Sequence, residues 1–425
     1  MEPKLHTLGN GLRVILQDTG DPEASVVIAM RAGSRFETED TFEHSHVLEH
    51  LMLNSRGEQK FPTRIDHARF EDRCAKETNA STEEDLVLVY GDVYRRWLPE
   101  MLELFAEGLH APINQASLQS NQHQVVIEMD EYWNAETLLE QKARELVFGK
   151  HPLSHSPVGS EENVQNATCF KLLNLRRKIV RARNMVIAIV GGINPEKTLR
   201  LVKRHFGRLP SGKPLAITRF RLRVVGPQVT TLSGKSRKVS LALTWPAFGA
   251  SDPDRIALSV ANNILCGRDS SPLYVHLRDL GYVYNIRSDV RHFEDAGVLQ
   301  LITSTRRARL QAVLRTIRDS VDRMRTKLVP MDEFAFAISI LADNARLYFK
   351  ETDDSAAFYA SQLARTGRFV PLRRYLKRLR DVTRSDVRRV MQRVCRPETT
   401  TLVLQGNVVP EDAPLARESL DLDHL

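Results

Sequence analysis

One stretch, Glu43-His44-Ser45-His46-Val47-Leu48-Glu49-His50-Leu51, constrains this chain more than any other. It contains His46-x-x-Glu49-His50. Each residue of an α-helix turns the chain about 100°, so His46 and His50 lie within about 40° of each other, one turn apart. That spacing lets two imidazoles grip one metal ion. Glu49 falls about 60° to the other side of His46. From there a carboxylate reaches a water on the metal without displacing either ligand. Zinc in such a site lowers the pKa of its water, and the carboxylate takes the proton. Val47, Leu48, Leu51, Met52 and Leu53 cover the rest of the helix and predict that it is buried. Two histidines and a glutamate on a buried helix cost free energy unless they are paired or bound to metal.

The chain has 425 residues, room for two large domains. No apolar run reaches the roughly 18 residues of a membrane span. The start, Met1-Glu2-Pro3-Lys4-Leu5-His6, has neither an apolar signal core nor an Arg/Ser-rich presequence, so a cytoplasmic location is expected. Cys74, Cys169, Cys266 and Cys395 match no metal or redox spacing and read as reduced thiols. The formal net charge is +8, with much of the excess between Arg373 and Arg396. Tyr375, Leu376 and Leu379 keep helical spacing among those arginines, so the charge reads as a solvated helix face. No nucleic-acid motif accompanies it.

Read in order, the first half predicts strands at 12–16, 25–30, 79–82, 86–93 and 185–190. Helices are expected at 41–53, 63–74, 94–109 and 195–206, with a helical stretch free of Gly and Pro over 118–147. Residues 209–214 look like a linker. The second half repeats the order, with strands at 239–245, 284–291 and 297–304 and helices at 253–265, 271–280, 308–326, 331–350 and 383–394. The endings match as well: Met185–Val190 before Gly191 resembles Thr401–Gln405 before Gly406, and each leads to a Pro-Glu pair. A repeat near 200 residues implies two copies of one α+β domain, 1–212 and 213–425. Only the first copy carries the His/Glu motif, so one chain should hold one metal.

A catalytic zinc takes three protein ligands and keeps one position open. The stretch after Leu118 offers His123, Glu128, Asp130, Glu131 and Glu136. Glu128 sits in Val125-Val126-Ile127-Glu128-Met129, an apolar run expected to draw the carboxylate into the core. There it needs a cation, either the metal or a buried arginine. Glu131 and Glu136 read as solvated helix acids.

At this point the chain resembles the pitrilysin/insulinase family of inverzincin metallopeptidases, which includes the mitochondrial processing peptidases. The resemblance covers about residues 5–410. It rests on Gly33-Ser34-Arg35, His46-x-x-Glu49-His50, Asn79-Ala80-Ser81-Thr82, Val126-Ile127-Glu128, Pro157-Val158-Gly159-Ser160-Glu161-Glu162, Ala182–Val186 and Ser270–Tyr284. It implies a fold of two homologous domains, each an antiparallel-rich sheet packed with helices, forming half of a clamshell. It implies zinc on His46, His50 and Glu128, with Glu49 as general base. It also implies that Asn79, Ala80 and Ser81 form a strand edge that hydrogen-bonds an extended peptide substrate. Arg278 and Tyr284 match the family's substrate pair, a guanidinium for carbonyls and a phenol for the developing oxyanion. In half-length relatives two chains enclose a chamber, and the pair from one chain faces the zinc of the other. A homodimer completing its sites in trans is therefore expected, with a related second chain as the other arrangement. The expected activity is a zinc endopeptidase. The alternative is a non-catalytic partner subunit of the same fold.

Two departures stand out. The second glutamate that most active relatives carry seven residues before the ligand glutamate is Asn121 here, which can hold a hydrogen bond behind the ligands but adds no charge. The Gly-rich run expected before Ser270 is reduced to Cys266-Gly267-Arg268-Asp269.

Overall fold

The computed structural model describes residues 2–54 and 64–422. Two sheets organise it. The first is built from β1 (Lys4–Thr7), β2 (Arg13–Asp18), β3 (Glu23–Met30), β4 (Ala75–Thr82), β5 (Val87–Tyr94) and β6 (Met185–Gly191), in the order β1-β2-β6-β3-β5-β4. The second is built from β7 (Gln228–Ser233), β8 (Val239–Phe248), β9 (Val283–His292), β10 (Ala296–Thr305) and β11 (Thr401–Gly406), in the order β7-β11-β8-β10-β9. The pairings repeat. β2 runs parallel to β6 as β7 does to β11, and every other neighbour is antiparallel. The duplication read from the two chain endings is thus a duplication of strand order, with β1 added at one edge of the first sheet.

The central strands are apolar on both faces because both faces are covered. Along β8, Val239, Leu241, Leu243 and Trp245 enter one core, while Ala242 enters another on the opposite side. Successive side chains of a strand point to opposite faces, so period-2 alternation survives inside a continuous apolar run.

The chain forms two compact units, and neither is continuous in sequence. The first comprises residues up to Tyr132, His155–Thr218 and Arg346–Leu372; the second comprises Trp133–Ser154, Arg219–Ala345 and Arg373–Leu425. Each half of the chain donates a helix to the other half's sheet. Helix Ala135–Phe148 places Leu139 and Ala143 against Ala242, Ile302 and Val403 of the second sheet. Helix Thr352–Thr366 places Ala356, Tyr359, Ala360 and Leu363 against Val27, Ala29, Val186 and Ala188 of the first.

The first exchange explains a correction. The stretch expected to be helical over 118–147 is two helices, Gln115–Tyr132 and Ala135–Phe148. No Gly or Pro breaks it. Asn134 does: its side-chain oxygen accepts from the backbone N–H of Glu136 at 2.9 Å and of Thr137 at 3.2 Å, while Thr137 Oγ1 accepts from the Asn134 N–H. An Asn with a returning hydroxyl three residues on starts a new helix where the chain passes from one unit to the other.

Most other expected elements are present within a few residues. The motif helix begins at His44 rather than at residue 41. The expected start of the next helix at residue 63 lies outside the described residues, and that helix is seen as Arg64–Cys74. The late basic run is an amphipathic helix, Leu372–Arg380, with Leu379 in the core. All four cysteines are free thiols. Among the described residues no helix is long and apolar enough to cross a membrane.

Candidate metal centre

Helix His44–Leu53 is buried from His44 to Met52 and packs against helix Gln115–Tyr132 and β4, all within the first unit. Its start is unusual. Glu43 has φ 62° and ψ 1°, a left-handed conformation that costs a non-glycine residue about 1–3 kcal/mol. The cap comes from elsewhere: the Glu37 carboxylate accepts from the N–H of Glu43 at 3.0 Å and of Ser45 at 2.6 Å. Burial raises the Glu37 pKa to about 7, with Ser45 and Glu43 hydrogen bonds opposing. Gly33 is needed nearby. It has φ 112°, and a Cβ there would lie 2.0 Å from the Glu83 carbonyl oxygen. Its N–H donates to Ser45 Oγ at 3.2 Å, and the N–H of Arg35 donates to the Glu84 carbonyl at 2.7 Å. The metal helix is thus tied to the β4–β5 turn.

Three side chains converge. His46 Nε2 and His50 Nε2 are 3.3 Å apart, and the Glu128 carboxylate lies 3.4 Å from the first and 3.3 Å from the second. Three ligands of one tetrahedral zinc at 2.0–2.1 Å stand about 3.3–3.4 Å from one another. The triangle therefore fits zinc without rearrangement. Among the described residues this is the one His/Cys/Asp/Glu group with metal-binding spacing.

Charge supports the same reading. Burial works against a proton on His46, but the hydrogen bond to Glu128 and the nearby carboxylates raise its pKa overall. Burial and the neighbouring His46 lower that of His50. The hydrogen bond with His46 lowers that of Glu128. Two imidazoles and a carboxylate at this separation call for one shared cation, and a divalent metal supplies it.

Glu128 occupies a different environment from the expected one. It was expected in the core; its side chain is 54% exposed. The buried face of helix Gln115–Tyr132 is Leu118, Asn121, Gln122, Val125 and Met129; Ile127 lies opposite it, and Glu128, within about 20° of Asn121 on the helical wheel, lies on its flank. The three-residue apolar run is local, and helical period overrides it. Glu128 meets the imidazoles from the solvent side.

Glu49 is buried beside this cluster, and its Oε2 accepts from Thr82 Oγ1 at 2.9 Å. Burial pushes its pKa up to about 7, against the pull of His46 and of the Thr82 hydrogen bond. Thr82 ends β4, and Arg365 anchors the turn that follows. Arg365 comes from the donated helix Thr352–Thr366, its Nε donates to Asp85 at 2.9 Å, and its fork also engages Glu83. Neither Glu37 nor Arg365 carried a sequence signal: one caps from six residues upstream, the other from nearly 300 residues downstream. Thr82 could have been found, since it closes the Asn79–Thr82 motif.

Asn121 is buried. Its carbonyl oxygen accepts from Asn54 at 2.9 Å and its amide donates to the Ser117 carbonyl at 2.8 Å, which ties the two ligand helices together below the metal cluster. Asn79, Ala80 and Ser81 lie on β4, which pairs with β5 on one side and forms the edge of the first sheet. In the second unit, Arg278 stacks over Tyr284 at 5.5 Å and donates to the Tyr274 hydroxyl at 3.0 Å; Tyr284 is 78% exposed. Arg268 fixes the loop that lacks the expected glycines. It bonds Ser270, Asn263 and Glu333 and stacks over Phe336 at 4.9 Å.

The chain is similar to known proteins over most of its length. Residues 13–160 match the model for insulinase, peptidase family M16, and residues 168–341 match that for the peptidase M16 inactive domain. An uncharacterized zinc protease of Mycobacterium tuberculosis (strain ATCC 25618 / H37Rv) is 26% identical over 401 residues, 92% of this chain and 90% of that protein. The β subunit of the Mus musculus mitochondrial-processing peptidase is 23% identical over 419 residues, 96% of this chain and 85% of that one. Among solved structures, a protease from Helicobacter pylori aligns with a TM-score of 0.86 at 21% identity, covering 96% of this chain and all of that one. A chain of complex III2 from Candida albicans aligns with a TM-score of 0.82 at 13% identity, covering 98% and 99%. The inactive-domain match begins beyond all the metal-cluster residues, as expected of a second copy without the motif. With both family models matched in tandem and the fold shared with solved structures named as M16 peptidases, the chain belongs to the insulinase-type M16 family of metallopeptidases.

Proposed function

We propose that this chain is a zinc-dependent endopeptidase acting on peptides or short unfolded segments held as an extended strand. The observation that carries the reading is the 3.3–3.4 Å ligand triangle with a buried carboxylate beside it. Zinc, when bound by His46, His50 and Glu128, supplies the Lewis acid that polarises the scissile carbonyl and acidifies the attacking water. Glu49, buried beside the ligands, accepts the water proton and returns it to the leaving amine. Thr82 holds that carboxylate in place. The open edge of β4 pairs with the substrate main chain through Asn79, Ala80 and Ser81, giving affinity with little sequence selectivity.

Arg278 and Tyr284 form the substrate-gripping pair, and the exposure of Tyr284 leaves its ring open to a peptide. They serve the metal centre of a second copy of the chain in a homodimer. Mixing His50→Ala chains with Arg278→Ala chains should then restore part of the activity, and no rescue would count against this pairing.

The test of the main proposal is cleavage of a quenched-fluorescent peptide by the zinc-loaded chain and by Glu49→Gln. Loss of the base is expected to lower kcat by about 10²–10⁴ with zinc retained. A zinc-loaded wild-type chain that cleaves nothing would leave the non-catalytic partner subunit as the reading.

A further inference from the structure

The second unit holds a groove of about 690 Å³, a volume typical of ligand sites. One wall is the end of helix Ala135–Phe148 with the turn after it; the other is the segment 219–227, which is neither helix nor strand. Lys150, Arg219, Arg221 and Arg223 line it, and none of the four has a hydrogen-bond or ion-pair partner among the described residues. The one acid in the lining, Glu398, already lies 3.4 Å from Arg396. Four cations on one groove repel one another, and no hydrogen bond or ion pair among the described residues offsets this.

The segment is held in place rather than loose. Its Phe220 packs against Phe148 at 5.0 Å and His151 at 5.4 Å, and the Phe220 N–H donates to the Asp295 carboxylate at 2.9 Å. On either side of that anchor the arginines are exposed, as are Leu222 and Val225 between and beyond them.

We propose that this groove binds an extended acidic peptide segment in which carboxylates alternate with aliphatic side chains. Guanidinium and carboxylate groups form two-pronged hydrogen bonds. An extended peptide presents every second side chain on one side, at a repeat of about 6.6–6.8 Å. That periodicity matches the alternation Arg219-Phe220-Arg221-Leu222-Arg223, with Leu222 and Val225 available to aliphatic residues. Single-stranded nucleic acid fits less well, because it needs open aromatic faces for its bases. The rings here, Phe148 and Phe220, pack on each other, and Phe148 also packs on Phe293 at 5.8 Å. The groove requires no turnover, so it stands or falls separately from the peptidase reading.

The test is fluorescence anisotropy with a dye-labelled octapeptide that alternates Glu with Leu or Ala, using the full-length Glu49→Gln chain so that the probe is not cut. Binding is expected at low ionic strength and should weaken steeply with salt. Arg221→Glu with Arg223→Glu should weaken it at least about tenfold, and Arg221→Gln with Arg223→Gln by less. Both side chains are exposed, so thermal midpoint and zinc content should not move. A peptide with Lys in place of Glu should show no binding that Arg221→Glu with Arg223→Glu weakens. No binding of the acidic octapeptide, or equal affinity for the charge-reversed variant, overturns the proposal. An oligo-dT of matching charge that displaces the peptide and binds more tightly makes the groove a nucleic-acid site instead.

Discussion

The two units use one strand order for different chemistry. In the first, β3 leads to helix His44–Leu53; in the second, β8, which holds the same place in its sheet, leads to helix Arg255–Leu265. The first of these helices buries His44, Ser45, His46, Glu49 and His50, whereas the second buries Asn263 as its one polar side chain. A helix at the same place in the fold thus carries a cluster of buried titratable side chains in one unit and ordinary core in the other. The scaffold does not decide the chemistry; the side chains on one helix do. Burying so many titratable groups is unfavourable unless a cation and fixed hydrogen bonds compensate. The first unit supplies fixed hydrogen bonds through Thr82 and Glu37, and with His46, His50 and Glu128 it has a group that could hold a cation.

The comparison can be broken first at the donated helices. Tyr359 is 1% exposed in the first unit and Leu139 is fully buried in the second. Tyr359→Ala is expected to cost about 3–5 kcal/mol and Leu139→Ala about 2–5 kcal/mol in denaturant unfolding. Losses under about 1 kcal/mol in both would show that the exchanged helices are accessories. A smaller effect sharpens the account of the base. Thr82→Val should lower kcat about ten- to a hundredfold, leave KM and zinc content unchanged, and be rescued by Thr82→Ser. If Thr82→Val behaves like wild type, Glu49 is positioned by other contacts.

The smallest expected effect lies in pH dependence. The folded pKa of Glu37 is about 7, above its ordinary value of 4.5, so the folded chain keeps a proton that the unfolded chain releases. This contribution to stability is fully present below about pH 4.5 and is lost as pH rises to about 7. Glu37→Gln should flatten the fall in thermal midpoint across that window, and parallel curves for the two proteins would contradict it. At helix Arg255–Leu265 the N-cap residue Asp254 is buried too, but its side chain makes no cap hydrogen bond, and its hydrogen bond with Arg389 lowers its pKa, so its contribution has the opposite sign.

Much of this architecture is legible in the sequence because it rests on short-range period. His46, Glu49 and His50 share one helix, and helical geometry alone brings the imidazoles together. The repeat shows in its strand endings, which are central in both sheets and hence apolar. What is not legible depends on distant chain. Glu128 does meet the two imidazoles, but from a half-exposed position: the apolar run suggests burial, whereas the helix's buried face, set by Leu118, Val125 and Met129, leaves Glu128 on its flank. The break at Asn134 hides because Asn tolerates a helix interior, and only the capping partners reveal a new start. Helix Thr352–Thr366 has a weak signal, since much of its buried face is small residues, Ala356, Ala360 and Ala364, that fit it closely against the sheet. Glu37 and Arg365 reach the site through contacts that only the folded chain creates.

The account depends most on one metal held by three side chains of the first unit. Zinc content per chain, measured by elemental analysis after dialysis against trace zinc, tests it directly. The account predicts about one zinc in the wild-type protein and almost none in His50→Ala, because a two-ligand remnant does not hold a structural or catalytic zinc. A wild-type chain that takes up no zinc, or a His50→Ala chain that keeps a full equivalent, would contradict it.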